Sequence, residues 1–202
     1  AAPLTVAAIP SVALCWLIPR LGEFRAMAPG VDVQIVYAIH GQAIDFHSVD
    51  LAIVFAEAPP NLPGFAVSPF LSGLTIPVCA PYLGGPETPA AIVEAGLLHD
   101  TDLSGWRAWL DASGATDLPV PGGPVFEDFN LLRAAALAGQ GVALCPRVIV
   151  AEDIREGRLM ALSETAIREE CGYYIIGAKQ DSGRAPTIDT FRAWLLSTAP
   201  EK

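Results

Sequence analysis

Short hydrophobic runs alternate along the chain with segments in which hydrophobic residues recur every three or four positions. The first run, LTVAAI at 4–9, stops at Pro10-Ser11, and a helical pattern over 12–27 begins at once. Such alternation predicts an α/β fold with a largely parallel sheet. The predicted strands are 4–9, 31–36, 51–56, 65–71, 74–80, 97–100, 123–128, 141–146, 158–162 and 172–178. The predicted helices are 12–27, 89–95, 104–112, 130–139, 147–157 and 185–199.

The predicted first helix has two unusual features. Pro19 lies inside it and predicts a kink, because proline removes the hydrogen bond to the carbonyl of Cys15. Ser11 stands where the helix begins, and backbone N–H groups there are unpaired and carry partial positive charge. Ser11 is therefore either an ordinary N-cap or a contact for an anionic ligand.

One pattern occurs twice. A strand, a capping residue, a helix, a glycine and a second strand follow one another in 4–36 and again in 125–146. This repeat suggests two similar lobes, and ligands of open α/β sheets bind beyond the carboxyl ends of the strands. If the lobes face each other, Ser11 forms one wall of a cleft and the Asp128-Phe129-Asn130 segment forms the other.

The charge of the chain excludes some partners. The 202 residues carry a formal net charge of −10, and the only lysines are Lys179 and Lys202. The arginines are scattered, whereas binding to nucleic acid or to an anionic membrane needs clustered cations. No stretch of 18 apolar residues is present, because Pro19 and Arg20 interrupt the best candidate. We therefore expect no membrane partner and no DNA contact from this chain itself.

The sequence also lacks the usual motifs of enzymes and metal sites. The four cysteines lie far apart without a CxxC motif, which indicates reduced thiols in a cytoplasmic protein. HGQAIDFHSVD at 40–50 matches no familiar metal-ligand spacing, and neither a G-x-S-x-G elbow nor a Walker A loop occurs. We expect no catalytic residue, no metal and no cofactor. Trp106 and Trp109 share one helix face and belong either to the core or to a pocket wall.

The order of several segments resembles the effector-binding domain of LysR-type transcriptional regulators. These segments are LTVAAIPSVALCWLIPRLGEFRAMAPGVDVQIV (4–36), VDLAIVF (49–55), FLSGLTIPVCAPYL (70–83), WRAWL (106–110), VFEDFNLLRAAALAGQGVALCPRVIVAEDIREGRL (125–159) and YYIIGA (173–178). WRAWL and AGQGVALCP resemble the branch that contains glycine-cleavage activators and β-lactamase regulators. The resemblance implies two Rossmann-like lobes with a cleft, as in type 2 periplasmic binding proteins. It implies lobe I at 1–76 plus 178–202 and lobe II at 77–177, with crossings near Thr75–Cys79 and Ile176–Lys179.

The resemblance further implies an effector site in the cleft. The matching positions are Ser11 and Val12 at the first helix, His40 in the loop after the second strand, Phe55 after the third, Thr101 and Asp102 after strand 97–100, and Phe126 with Asp128. Effectors of the family are often carboxylates, but this cleft would hold Asp102, Glu127 or Asp128, and Glu57, with no lysine. An acid-lined site favours a zwitterion, an amine, or a polar neutral molecule whose carboxylate end meets Ser11.

The same resemblance implies partners. The winged helix-turn-helix of the family is absent from this chain, so DNA would be bound only through that missing N-terminal domain. Helices 12–27 and 130–139 would form a homodimer, and the full-length protein a tetramer. A periplasmic solute-binding protein of the same architecture is the alternative, and a two-lobed enzyme is a more distant one. The resemblance favours a cytoplasmic sensor that binds a small-molecule effector and is not an enzyme.

Overall fold

The computed structural model describes residues 2–39, 41–179 and 185–200. Contacts divide the chain into two compact units: unit 1 is Ala1–Ser72 with Glu170–Lys202, and unit 2 is Gly73–Glu169. The strands are β1 (Leu4–Ala8), β2 (Val33–Tyr37), β3 (Leu51–Ala56), β4 (Phe65–Ser72), β5 (Thr75–Cys79), β6 (His99–Asp100), β7 (Val125–Phe126), β8 (Ala143–Pro146), β9 (Met160–Ala161) and β10 (Gly172–Ala178). The helices are α1 (Pro10–Val12), α2 (Ile18–Met27), α3 (Pro89–Glu94), α4 (Ser104–Ala112), α5 (Phe129–Leu137), α6 (Ala151–Arg155) and α7 (Ala185–Ser197).

A π-helical segment, Ala13–Leu17, joins α1 to α2. The N–H of Ile18 bonds to the carbonyl of Ala13, five residues back, directly ahead of Pro19. Pro19 has no N–H to offer, and such wide turns accompany breaks in the usual hydrogen-bond ladder. The irregularity predicted at Pro19 is therefore a π segment that places an extra residue in the turn before the proline.

Unit 1 contains a five-stranded sheet in the order β2-β1-β3-β10-β4. β1 pairs in parallel with β2 and β3, whereas β10 runs antiparallel to both β3 and β4. Because β10 completes the sheet of unit 1, the chain returns to this unit before Gly172. The expected return near Ile176–Lys179, which left most of this strand in lobe II, is wrong for that reason.

The core of unit 1 lies between this sheet and its helices. Phe24 of α2 packs edge-on against Phe191 of α7, with ring centroids 4.8 Å apart, and also touches Trp194. On the other sheet face, Ile44 and Phe46 from the loop after β2 pack over Ala52 and Ile176. The sheet is thus covered by helices on one face and by a loop on the other.

Unit 2 has two smaller sheets. In the order β8-β5-β9 every pairing is antiparallel, whereas β6 and β7 pair in parallel. The expectation of a largely parallel sheet is therefore wrong for β5, β8, β9 and β10. Periodicity identifies a strand, but direction depends on which distant strand it pairs with.

Two predicted elements of unit 2 are shorter than expected. The strand expected at 123–128 shrinks to β7, because Gly123 crosses close to the carbonyl of Leu97 and Pro124 cannot donate to a ladder. The helix expected at 147–157 begins only at Ala151, since the N–H groups of Ile149 and Val150 close a turn on the carbonyl of Pro146.

Burial follows the hydrophobic pattern in both units. Cys79, Cys145 and Cys171 are buried, Cys15 is half-buried, and none of the four is in a disulfide. Within residues 2–39, 41–179 and 185–200, no helix has the length and hydrophobicity that crossing a bilayer requires.

Candidate functional site

The candidate residues of unit 1 lie at the carboxyl edge of its parallel strands. The N–H of Ile9, just after β1, bonds to the carbonyl of Ile53 in β3 at 3.2 Å. This bond holds the end of β1 beside β3, on which Phe55 lies two residues further along. Ser11 and Phe55 therefore extend from neighbouring strand ends, as the parallel-sheet rule predicts.

Ser11 is not the N-cap of the first helix. The cap position is Ile9, Pro10 is the first helical residue, and Ser11 follows it with 6% of its surface exposed. No partner for the Ser11 hydroxyl is found among the described residues. The capping interpretation is wrong because Pro10, with its fixed φ and missing N–H, sets the first turn one residue earlier.

The other predicted residues of unit 1 differ in what they can offer a ligand. Val12 is fully buried, so its side chain belongs to the core and only its backbone N–H remains for a contact. Phe55 is half-buried, packs edge-on against Tyr173 at 5.1 Å, and lines an apolar groove of unit 1 with Phe46 and Leu62. His40 lies outside the described residues.

The loop around His40 has a structural role in the part that is described. The Asp45 side chain accepts hydrogen bonds from the backbone N–H of His47 and the hydroxyl of Ser48. Asp50 accepts from the N–H of Thr5 at 2.8 Å and so joins the loop to β1. No group of three or more potential metal ligands occurs among the described residues. Asp45 and Asp50 thus fix backbone in place.

The candidate residues of unit 2 lie at the paired ends of β6 and β7. The N–H of Thr101 bonds to the carbonyl of Phe126 at 2.9 Å, which places the two strand ends side by side. Asp102 accepts from the N–H and the hydroxyl of Ser104, at 2.8 and 2.6 Å, where α4 begins. Asp128 caps α5 by accepting from the N–H of Leu131 at 3.0 Å. Four predicted residues are thus brought together within one unit.

Two further residues share this edge of unit 2 although the sequence analysis did not name them. Asp100 and Arg168 line a small cavity whose walls also include Leu98, Asp102, Gly105 and Trp106. Alternation along LLHD places Leu98 and Asp100 on one face, so Asp100 could have been found. Arg168 comes from an irregular segment distant in sequence, and no local pattern points to it. The acidic group of residues in unit 2, for which no lysine was expected, therefore has an arginine beside it.

The electrostatics of this cavity are unbalanced. Burial raises the pKa of Asp100; Arg168 lowers it, and the carboxylates of Asp102 and Asp128 raise it further. The pKa of Asp102 is lowered by its hydrogen bonds from Ser104 and, to a smaller extent, by Arg168. Two carboxylates and one guanidinium line this cavity, and the charge of Asp128 acts on Asp100 in addition, so negative groups outnumber positive ones around it.

The two tryptophans of α4 lie in the core, and one of them also reaches the cavity. Trp106 and Trp109 are 2% and 1% exposed and pack edge-on with centroids 5.8 Å apart. The indole N–H of Trp106 donates to the carbonyl of Leu98 at 2.8 Å, and the ring forms part of the cavity wall. Trp106 is therefore a core residue whose ring also lines this cavity, and its role as a wall of the effector pocket stays a prediction.

His99, between Leu98 and Asp100, faces away from the cavity. It is fully buried, and neither ring nitrogen has a well-formed hydrogen bond. Burial lowers its pKa, and the backbone carbonyl of Pro121 offsets part of that effect. The neutral ring packs beside Gly123, where a Cβ atom would meet the backbone of Leu97. His99 is therefore a packing residue of this edge.

Comparisons with known proteins identify similar chains. The family described as LysR substrate binding domain matches residues 1–200. The chain is 32% identical over 206 residues to the glycine cleavage system transcriptional activator of Escherichia coli (strain K12), covering 97% of this chain and 65% of that protein. It is 30% identical over 190 residues to the transcriptional activator AmpR of Rhodobacter capsulatus, covering 94% and 64%. The chain thus spans just under two thirds of the length of these relatives.

Solved structures show the same architecture. The effector domain of the transcriptional regulator AmpR of Pseudomonas aeruginosa superposes with a TM-score of 0.77 at 26% identity, covering 98% of this chain and 95% of that one. The regulatory domain of CrgA, a LysR-type regulator from Neisseria meningitidis, gives 0.74 at 17% identity, covering 98% and 99%. Because only 17% of residues are identical, the similarity to CrgA shows a shared fold and no more.

Proposed function

The chain belongs to the LysR substrate-binding domain family, and we propose that it binds a small metabolite between its two units. It is a regulatory effector-binding domain and not an enzyme, as its transcription-activator relatives indicate. In this proposal unit 1 contributes the Ser11 hydroxyl, the Val12 N–H, Phe55 and the loop of His40. Unit 2 contributes Thr101, Asp102, Phe126 and Asp128. We take the boundaries of the two lobes from the strand pairing, with β10 in lobe I.

One observation carries the proposed class of ligand. The paired ends of β6 and β7 gather Asp100, Asp102 and Asp128, and the charges of Asp102 and Asp128 add to burial in raising the pKa of Asp100. Anionic ligands would add to this repulsion, whereas an ammonium group would relieve it. The proposed effector is therefore an amine or a zwitterion, with its cationic group against unit 2.

Binding would act through the arrangement of the two lobes. The chain crosses between units only near 72–73 and 169–170, and two short crossings favour hinge motion. An effector shifts such an equilibrium only by its difference in affinity between the two arrangements. In the longer regulator, we propose that this shift reaches the DNA-binding domain and so controls transcription in the cytoplasm.

We also propose a homodimer through the helices at 12–27 and 130–139. Leu14 and Ile18 are 46% and 55% exposed on the outer face of the first helix, and Leu131 is 52% exposed on α5. In a two-fold dimer each such contact occurs twice, so these few exposed apolar side chains would bury twice their area in the interface. Full-length chains would then assemble further into a tetramer.

Isothermal titration calorimetry tests the binding proposal. We expect amino acids or amines to bind the chain and dicarboxylates not to bind. Ser11→Ala should weaken binding about three- to tenfold, the usual value of one hydrogen bond. It should leave the unfolding midpoint unchanged, since Ser11 caps no helix. Ser113→Ala, at the far end of α4, is the matched control and should bind normally.

Two results would contradict the proposal. Preferential binding of dicarboxylates would exclude the acid-lined site as the place of recognition. Equal affinity of the Ser11→Ala and wild-type chains for a bound amino acid would remove Ser11 from the site.

A further inference from the structure

Asp100 and Arg168 line one cavity with opposite charges, yet they do not neutralise each other by direct contact. No ion pair or hydrogen bond of either side chain is found among the described residues. Arg168 nevertheless acts electrostatically on both Asp100 and Asp102. The cavity therefore has hydrogen-bond donors of a guanidinium and acceptors of a carboxylate in its wall without a direct bond between them, and a ligand that binds both would satisfy both.

The backbone holds Arg168 in this position. Its φ is +62°, a left-handed conformation that is costly for a residue with a side chain. The preceding Ile167 exchanges two hydrogen bonds of 3.0 Å with Thr75, which anchors the segment to β5. The guanidinium lies over the first turn of α4, since a Cβ at Gly105 would be 3.9 Å from it. Strained residues that are fixed in this way concentrate at functional sites.

The size of the cavity limits what can reach both charges. It leaves about 20 Å³ for the centre of a water-sized group, which is room for one or two such groups. So small a cavity favours a ligand that carries its ammonium and carboxylate on one carbon over a ligand in which they lie several carbons apart.

We propose that Arg168 and Asp100 select the head group of an α-amino acid. Arg168 binds the carboxylate, and Asp100 binds the ammonium with support from the charges of Asp102 and Asp128. This inference rests on the proposed function and sharpens it from amines and zwitterions in general to α-amino acids. It assigns specificity to two residues beyond those that the sequence indicated.

The test measures head-group discrimination by calorimetry. The probes are the twenty standard α-amino acids, then three derivatives of the tightest binder: its carboxamide, its N-acetyl form and its decarboxylated amine. β-Alanine and γ-aminobutyrate test the charge spacing. We expect the α-amino acid to bind at least about tenfold more tightly than each derivative, as charged hydrogen bonds require. The two longer amino acids should bind no better than the derivatives.

The variants separate recognition from folding. Arg168→Gln should weaken binding of the amino acid at least about tenfold while leaving that of its carboxamide nearly unchanged, so that discrimination at the carboxyl end disappears. Asp100→Asn should weaken binding of the amino acid to a similar extent while leaving binding of its N-acetyl form nearly unchanged. Discrimination at the amino end then disappears. If Arg168→Gln does not fold, Arg168→Asn replaces it in the test, because asparagine adopts a left-handed backbone conformation more readily. Arg147→Gln, in an exposed ion pair with Glu164, is the control and should discriminate normally.

The outcomes distinguish this inference from the proposed function. If an amino acid binds and Arg168→Gln keeps the full preference for the carboxylate, the inference is wrong and the effector site stands. The same holds if an amine binds and no α-amino acid does. If none of these probes and no dicarboxylate binds, the proposed function fails as well.

Discussion

At the scale of the residue, the environment of Asp100 disfavours its ionised form. Burial raises its pKa, and the neighbouring carboxylates add to the effect that Arg168 partly offsets. The folded chain therefore retains this proton at pH values where the unfolded chain has released it. Stability contributed by Asp100 is full below its ordinary pKa of 3.8 and is lost as the pH rises through the higher folded value.

Asp100→Asn should therefore stabilise the chain at neutral pH. We expect a gain of up to about 1 kcal/mol at pH 7, because asparagine keeps the shape of the side chain but removes the charge that burial disfavours. The gain should shrink as the pH falls toward 4 and vanish below the ordinary pKa of 3.8, where the carboxyl group is protonated in both states. Urea unfolding at pH 4 and pH 7 measures both values.

The control for this variant is Asp111→Asn, at an exposed carboxylate that pairs with Arg107 within α4. It should change stability by less than about 0.5 kcal/mol at either pH. A loss of stability in Asp100→Asn at pH 7 would show that Arg168 fully compensates the charge of Asp100. That result would contradict the unbalanced cavity.

Much of the candidate site could be predicted from sequence at this scale, and the exceptions have physical reasons. The resemblance indicated Thr101, Asp102, Phe126 and Asp128, and the structure places these four residues together at the ends of β6 and β7; their role in binding stays a prediction. Val12 follows the end of β1, but whether its side chain faces core or solvent depends on the neighbouring helix. Arg168 joins the cavity only through the bridge between Ile167 and Thr75, which is a tertiary contact without a local signal.

At the scale of elements, a buried ion cluster joins α5 to the segment around α6. The Asp153 side chain is 2% exposed and accepts two hydrogen bonds of 2.7 Å from Arg133 of α5. Arg158 donates to the same carboxylate at 2.9 Å. Since Asp128 caps α5, this cluster helps to fix the orientation of a helix whose N-cap belongs to the candidate site.

Asp153→Asn should therefore destabilise the chain strongly. Two arginines would lose their shared anion, and breaking a buried pair from one side costs about 3 kcal/mol. Glu152→Gln, next to it in an exposed pair with Arg155, should cost less than about 0.5 kcal/mol. Urea unfolding of the two variants measures the difference. Equal small effects would show that hydrophobic packing alone fixes α5.

Helices and strands were predicted correctly where their own residues alone determine them. α4 and β10 have the predicted bounds, because a clear helical face and a continuous apolar run are local properties. The direction and partners of β10 could not be predicted, since they depend on β3 and β4, more than a hundred residues earlier in the chain. The length of α6 depended on the turn at Pro146, which competes with helix formation.

At the scale of the whole molecule, the two units repeat one construction. In each, parallel strands end beside a helix start, at Ser11 in unit 1 and at Asp128 in unit 2. The internal repeat in the sequence pointed to this arrangement because strand, cap, helix and glycine are local signals. The positions at which the chain passes from one unit to the other were harder to predict, because the return depends on which sheet β10 joins.

The proposed dimer gives the prediction that belongs to this scale. Ile18 is 55% exposed and lies one turn from the exposed Leu14, while Leu17 beside it is fully buried. Ile18→Glu should leave folding intact, because the side chain contributes little to the core. In a two-fold interface, however, the change introduces two carboxylates into an apolar contact. We expect sedimentation equilibrium to show the wild-type chain at twice the monomer mass and the variant at the monomer mass.

Leu196→Glu provides the matched comparison, because Leu196 is 37% exposed on α7, outside the two helices of the proposed interface. This variant should keep the dimer mass, which separates loss of a specific contact from a general effect of added negative charge. Because the chain already carries a net charge of −10, that general effect also has to be checked at raised salt concentration. Monomeric wild-type chain at every concentration and salt level would contradict the dimer, whereas dissociation of both variants would place the contact elsewhere.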